Sequence, residues 1–349
     1  MFILLARNNI IFFKKLFFVV ILSILILRMS SLGDIVMLHD YLNVMVLFLV
    51  VGLGCLLTRN KWLDKSSNSL FTKLLINVAL PSTLILSINS DFTRREFLAL
   101  VPDVILPVMV ILSLMILSFF TAKIIQIEKK DIGLFIGLCS MSSTIFFGIP
   151  ITLAVYGSHG LPYALMTYAS QTVIYWTLGL YLLEKDSFEK SDGKNIFRVV
   201  VKEIINMPLM AFFVGITILL MGIPIPQVIN EFLSTLGGMT SALAMLVVGA
   251  IIYLSGLKKI TITKGLISVV IFRFILAPVM VVLLGKLFAI DNDMIKITSL
   301  ICSLPIPNTT VILAEKYKVN TVFATESLSA SIAAYLVFLP VILFVIHSV

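Results

Sequence analysis

The sequence predicts an all-α integral membrane protein of ten transmembrane helices, arranged as two inverted five-helix repeats with broken, crossing fourth and ninth helices. Three observations predict it. The 349 residues are 60% hydrophobic and only 13% charged, with a mean hydropathy of +1.12, and a soluble domain of this size needs far more charge to cover its surface. Apolar runs of membrane-spanning length recur from Tyr41 to the C-terminus. Short motifs of the third and fourth runs return, in the same order, in the eighth and ninth.

The ten spans fall near 39–57, 70–88, 102–121, 132–156, 162–183, 204–222, 230–255, 265–288, 295–315 and 321–347. Residues 1–36 form an N-terminal apolar extension. Arg7, Lys14 and Lys15 precede an apolar run, Leu16 to Leu27, which reads as a signal-like segment, an extra helix or a mis-called start. Twelve residues reach only ~18 Å as a helix, less than a hydrocarbon core. Residues 37–183 make the first repeat and 204–349 the second. Between them lies 184–203, where ten of twenty residues are charged and Ser191-Asp-Gly193 marks a turn.

Charge fixes the orientation. With the first span running inward, the cytoplasmic side carries seventeen Lys and Arg, among them Arg59, Lys129, Lys130, Lys185, Lys258 and Lys316. The opposite side has four: Arg94, Arg95, Lys286 and Lys296. That bias places both ends of the ten-span unit outside. It also accounts for the net charge of +8 without a nucleic-acid partner. The partner the composition requires is a lipid bilayer, and the location is the cell membrane, multi-pass.

The same composition excludes most other chemistry. Cys55, Cys139 and Cys302 lie within apolar spans and form neither a disulfide framework nor a metal spacing. His39, His159 and His347 are far apart, so no metal site is expected. No nucleotide-binding loop, acid pair or Ser–His pair sits at matching depth, so neither an enzyme nor a cofactor is expected. Gly52-Leu-Gly54 reads as a helix-packing site.

The repeat is carried by three matches. Leu106-Pro-Val-Met-Val-Ile-Leu112 corresponds to Ala277-Pro-Val-Met-Val-Val-Leu283, Cys139-Ser-Met141 to Cys302-Ser-Leu304, and Leu153-Ala-Val-Tyr156 to Leu313-Ala-Glu-Lys-Tyr317. An odd number of spans per repeat inverts the second half relative to the first. The ninth span carries Pro305 and Pro307 near its middle, followed by Asn308, Thr309 and Thr310. Proline removes a backbone donor and clashes with the preceding turn, so this helix breaks there. The fourth span carries Ser142, Ser143 and Thr144, then Gly148 and Pro150. Freed backbone is tolerated in a bilayer only where protein or a polar cavity satisfies it. Paired broken helices at midplane are the construction of a transporter site, with half-helix N-termini presenting N–H groups to a carboxylate. These ten residues are the candidate substrate site.

The stretch from Ser303-Leu-Pro305 to Ala314-Glu-Lys-Tyr317, then Leu339-Pro340, together with Gly148-Ile-Pro150, resembles the auxin efflux carrier family, which includes bacterial malate and other organic acid permeases. The resemblance covers about 37–349. It implies a ten-helix inverted repeat and elevator-type transport of carboxylate-bearing substrates. One position departs from it: many relatives have Pro-Asn before the fourth-span glycine, where this chain has Ser142-Ser143.

Four further polar residues are candidates for coupling or support. Lys73 and Asn77 lie one turn apart on one face of the second span, where Lys73 also suits a snorkelling anchor. Arg273 lies ~12 Å into the eighth span, either functional or reaching back to the cytoplasmic face. Glu326, entering the tenth span, is the acidic candidate for proton coupling, or else a solvated cap. Glu315 and Asp103 sit at span ends and are set aside. The expected function is a secondary active transporter of small organic anions such as malate. The coupling partner considered is a proton or Na+, and a homodimer is among the assemblies considered. The alternatives are a sensor that binds a carboxylate without net transport, and a channel.

Overall fold

The computed structural model describes residues 32–187, 205–255 and 261–348. The run Leu16 to Leu27 and residues 188–203 of the charged connection lie outside them. Helices account for nearly all of the rest, and no strand occurs among the described residues. In chain order they are α1 (Leu32–Arg59), α2 (Lys65–Asp91), α3 (Arg94–Ile124), α4a (Ile132–Ser140), α4b (Ile149–Tyr156) and α5 (161–186). After the connection come α6 (Met207–Met221), α7 (Gln227–Leu254), α8 (Lys264–Leu287), α9a (Asn292–Cys302), α9b (Asn308–Lys316) and α10 (Thr321–Ser348). Among the described residues, seven segments are long and apolar enough to cross a membrane: α1, α2, α3, the α4 segment Lys129–Tyr156, α7, α8 and α10. The helix α1 begins at Leu32, inside the stretch read from sequence as the extension.

Local chemistry sets the ends. Asp64 caps α2 by accepting the Ser67 N–H at 2.7 Å. Thr93 and Glu96 form a reciprocal capping box at the start of α3. Asn206 accepts the Leu209 N–H at 3.0 Å and Pro208 follows in the first turn of α6, which ends on Gly222 in the left-handed region at φ 67°. Each cap satisfies groups that the helix itself leaves unpaired.

Three proline positions share one device. In α2, in α4 and in α8 a five-residue π-helical turn ends two residues before a proline: Leu75–Ala79 before Pro81, Thr144–Gly148 before Pro150, and Phe272–Leu276 before Pro278. The residue just before each proline donates five residues back: Leu80 to Leu75, Ile149 to Thr144 and Ala277 to Phe272. The wider turn accommodates the ring and keeps a donor on the carbonyl that an ordinary helix would lose to proline.

Packing divides the helices into two groups. The first comprises α1, α2, α6 and α7, with α1 laid along α7 and α6 along α2. The α1–α7 contact is backbone to backbone. A Cβ on Gly54 would lie 2.6 Å from the Leu246 carbonyl oxygen, and one on Gly249 would run into that of Val51. Cys55 Sγ donates to the Gly249 carbonyl at 3.1 Å across the same contact. Gly54 is thus the packing position expected of it. The second group comprises α3, α4, α5, α8, α9 and α10, in which α3 packs on α4a and α8 on α9a. The pairing of α1 with α7 has its counterpart in α6 with α2, and that of α3 with α4a in α8 with α9a.

Candidate functional site

The breaks in α4 and α9 meet. Beyond Ser140 the chain is extended at Met141 and stays out of the helical region through Ser143. Beyond Cys302 it turns at Ser303 and runs extended into Pro307. At the meeting point the Ser143 N–H donates to the Pro305 carbonyl at 2.9 Å. One break thereby satisfies backbone in the other.

Neighbouring helices hold each break in place. From α5, Gln171 reaches Ser142 three times: its Oε1 accepts the Ser142 N–H at 3.0 Å and the Ser142 hydroxyl at 2.8 Å, and its Nε2 donates to the Ser142 carbonyl at 2.6 Å. From α10, the Ser331 hydroxyl oxygen accepts the Ile306 N–H at 3.2 Å. From α8, Arg273 donates through Nε at 3.1 Å and Nη2 at 2.8 Å to the carbonyl of Leu304. Tyr175 and Thr310 share a hydrogen bond of 3.0 Å, and Thr167 and Thr298 one of 3.2 Å, tying α5 to both halves of α9. Ser142, Ser143, Thr144, Ser303, Thr310, Gln171 and Arg273 are all buried.

Four backbone donors are left over. The N–H groups of Ile145 and Phe146, at the start of the second half of α4, have no acceptor among the described residues. The same is true of Asn308 and Thr309, at the start of α9b. The Asn308 amide and the Thr309 hydroxyl also make no hydrogen bond among the described residues. All four residues are only partly buried, unlike the sealed backbone around them. The pairs are also equivalent: the Cys139–Cys302 match maps Ile145 onto Asn308 and Phe146 onto Thr309. Each half-helix thus directs the positive end of its dipole, with free N–H groups, toward accessible space.

The other candidates are distributed unevenly about this point. Gly148 faces α9: a Cβ there would come within 3.2 Å of a Leu304 methyl. Pro150 and Pro305 are buried, and Pro307 is half-buried at the cap of α9b. Arg273 is fully buried and does not reach back to the cytoplasmic face. Glu326 instead accepts a hydrogen bond from Thr261 in the α7–α8 connection at 3.1 Å. It lies five residues, ~7.5 Å of helix, before Ser331. Lys73 and Asn77 are exposed on α2, with no hydrogen-bond or ion-pair partner among the described residues. Gln171 and Ser331 were not anticipated. Their one sequence signal is a polar side chain inside an apolar span, which the Gln carries more strongly than the Ser.

Seven membrane-length apolar helices, with two interrupted segments meeting at free N–H groups, define a multi-pass membrane protein of the transport class. Comparison places it further. The membrane transport protein family matches residues 41–344, and the chain belongs to that family. It is similar over most of its length to an uncharacterized transporter of Methanothermobacter thermautotrophicus, 27% identical over 299 residues, covering 85% of this chain and 95% of that one. An uncharacterized transporter of Methanocaldococcus jannaschii is 25% identical over 285 residues, with 78% and 89% covered. The uncharacterized transporter YfdV of Escherichia coli is 23% identical over 316 residues, with 88% and 96% covered. The resemblance read from the fourth and ninth spans is therefore one of family membership. The protein is a transporter and not an enzyme.

Proposed function

We propose that this protein is a secondary active transporter of small organic anions, with malate and related carboxylates as the substrate class. The observation that carries the reading is the set of four unpaired N–H groups on Ile145, Phe146, Asn308 and Thr309. A carboxylate has two oxygens with lone pairs to spare, and helix N-termini receive anions through their N–H groups and dipole. The Asn308 amide and Thr309 hydroxyl add side-chain donors at the same place.

Ten spans in two inverted repeats are the architecture we infer. The sequence matches and the mirrored packing of α1 with α7 and α6 with α2 support it. In the transport cycle the group holding the crossing (α3, α4, α5, α8, α9 and α10) would move as an elevator against α1, α2, α6 and α7. The backbone-to-backbone contact between α1 and α7 suits a static frame. Ser142 and Ser143, the departure from the family pattern, act in this reading through the hydrogen bonds of Ser142 to Gln171 and of the Ser143 N–H to Pro305.

The test is counterflow. Proteoliposomes loaded with unlabelled malate and diluted into labelled malate should accumulate label transiently, as a carrier requires and a channel or sensor does not. Absence of accumulation with folded protein, across malate and other dicarboxylates, overturns the assignment.

A further inference from the structure

Arg273 presents an unusual electrostatic situation. It is fully buried in α8, and no carboxylate lies within ion-pair distance of it among the described residues. A guanidinium keeps its charge, and burying one within a membrane without compensation is costly. Its compensation comes from backbone. Nε and Nη2 both bond the Leu304 carbonyl, just beyond the C-terminus of α9a. Its charge is also within electrostatic reach of Cys302, the last residue of α9a, and of Cys139, next to the last residue of α4a. The π-helical turn that carries Arg273 packs on α4a. One fixed cation therefore serves the C-terminal ends of both first half-helices, α4a and α9a, where helix dipoles concentrate negative charge. Its remaining nitrogen, Nη1, is buried without a partner among the described residues.

Half-helix C-termini and unwound carbonyls are the places where broken-helix transporters hold a coupling cation. Here a side chain holds that place permanently. We propose that Arg273 is the resident cation of the crossing, supplying the positive charge that a bound Na+ would bring, so that the protein loads its carboxylate substrate without Na+. This deepens the proposed function and rests on its reading of the crossing as the substrate site. Arg273 is on this account a positioning residue. It fixes the Leu304 carbonyl and offsets the negative helix ends, while the N–H groups of α4 and α9b receive the anion.

The experiment measures labelled-malate counterflow in proteoliposomes with Na+ on both sides, or with N-methylglucamine in its place at equal ionic strength. Wild-type counterflow should be equal in the two media; counterflow that requires Na+ overturns the proposal. Arg273→Gln should lose counterflow in the Na+-free medium, and full retention there overturns the proposal equally. Because removing a buried charge can prevent folding, Arg273→Lys is measured beside it. It keeps the charge and should retain counterflow without Na+, whereas a requirement for Na+ in that variant contradicts the proposal. A second readout needs no substrate. The melting temperature of the purified wild-type protein should be the same in sodium chloride and choline chloride, and stabilisation specific to Na+ overturns the inference. If malate is not carried in any medium, the substrate reading fails, and the melting comparison still decides the cation question.

Discussion

Gln171 holds Ser142 in the break of α4, with one oxygen accepting the N–H and hydroxyl of Ser142 and its nitrogen donating to the Ser142 carbonyl. Replacing it by Leu leaves the buried N–H and hydroxyl of Ser142 without an acceptor, while the Ser142 carbonyl keeps the Thr144 N–H at 3.0 Å. Stranded buried groups cost about 1–3 kcal/mol, so Gln171→Leu should lower the melting temperature and impair counterflow together. Gln171→Glu keeps the acceptor and loses the donor, and should fall between. At the C-terminal end of α5, beyond the apolar stretch, Asp186 accepts the Leu134 N–H at 3.0 Å. Burial pushes its carboxyl up to about 6. The folded state then binds this proton more tightly than the unfolded chain, whose Asp titrates near 4. The Asp186 contribution to stability is therefore full below about pH 4 and is lost as pH rises through about 6. Asp186→Asn keeps an acceptor and removes that loss. Thermal melts of the two proteins should converge below about pH 4 and favour the variant above about pH 6, the reverse order at neutral pH contradicting the assignment. The sequence shows Gln171 and Arg273 only as polar groups at membrane depth. Their partners lie 29 and 31 residues away, on other helices. Whether Arg273 snorkels or is buried depends on where α9a ends, and that is a tertiary fact.

Helix breaks were the most legible elements, because proline and glycine interrupt apolar runs for a local steric reason. Pro305 and Pro307 fall within the non-helical stretch of α9, whereas in α4 the break lies at Met141–Ser143, ahead of Gly148 and Pro150, which end and follow a π-helical turn. What local chemistry does not specify is the form of each disturbance. Pro150 and Pro278 follow π-helical turns, whereas Pro107, just beyond the 3-10 turn Val101–Val104 within α3, and Pro208, in the opening turn of α6, follow none. The repeated Pro-Val-Met-Val motif therefore sits in two different local structures. Pro305→Ala restores the missing N–H and relaxes the break. It should abolish counterflow while the protein remains folded in the membrane, as checked by its elution as a single species. The close approach of α1 and α7 gives a prediction of the opposite kind. A side chain at Gly249 meets the backbone of Val51, which has no flexible end to move aside. Gly249→Val should separate the helices and destabilise the protein by about 1–3 kcal/mol or more, read as a fall in melting temperature.

At the scale of the molecule, hydropathy and the distribution of Lys and Arg carry most of what sequence says about a membrane protein, because the bilayer imposes length and sidedness directly. Membrane character was legible on those terms, and the family through the motifs of the fourth and ninth spans. The segregation of helices into a frame and a site-bearing group was not, since most spans are apolar nearly all round and periodicity does not reveal which neighbour they meet. The remaining alternative, a sensor, places its output in the charged connection. Replacing residues 188–203 by a Gly/Ser linker of equal length should leave most counterflow intact, and its disappearance would favour the sensor. The central claim is that free N–H groups and Asn308, at the crossing of α4 and α9, hold the transported carboxylate. The most direct measurement is labelled-malate counterflow by wild-type protein and by Asn308→Ala, in parallel and at equal amounts of folded protein. The account predicts transient accumulation by the wild type and none by the variant. Equal accumulation by both would contradict the site.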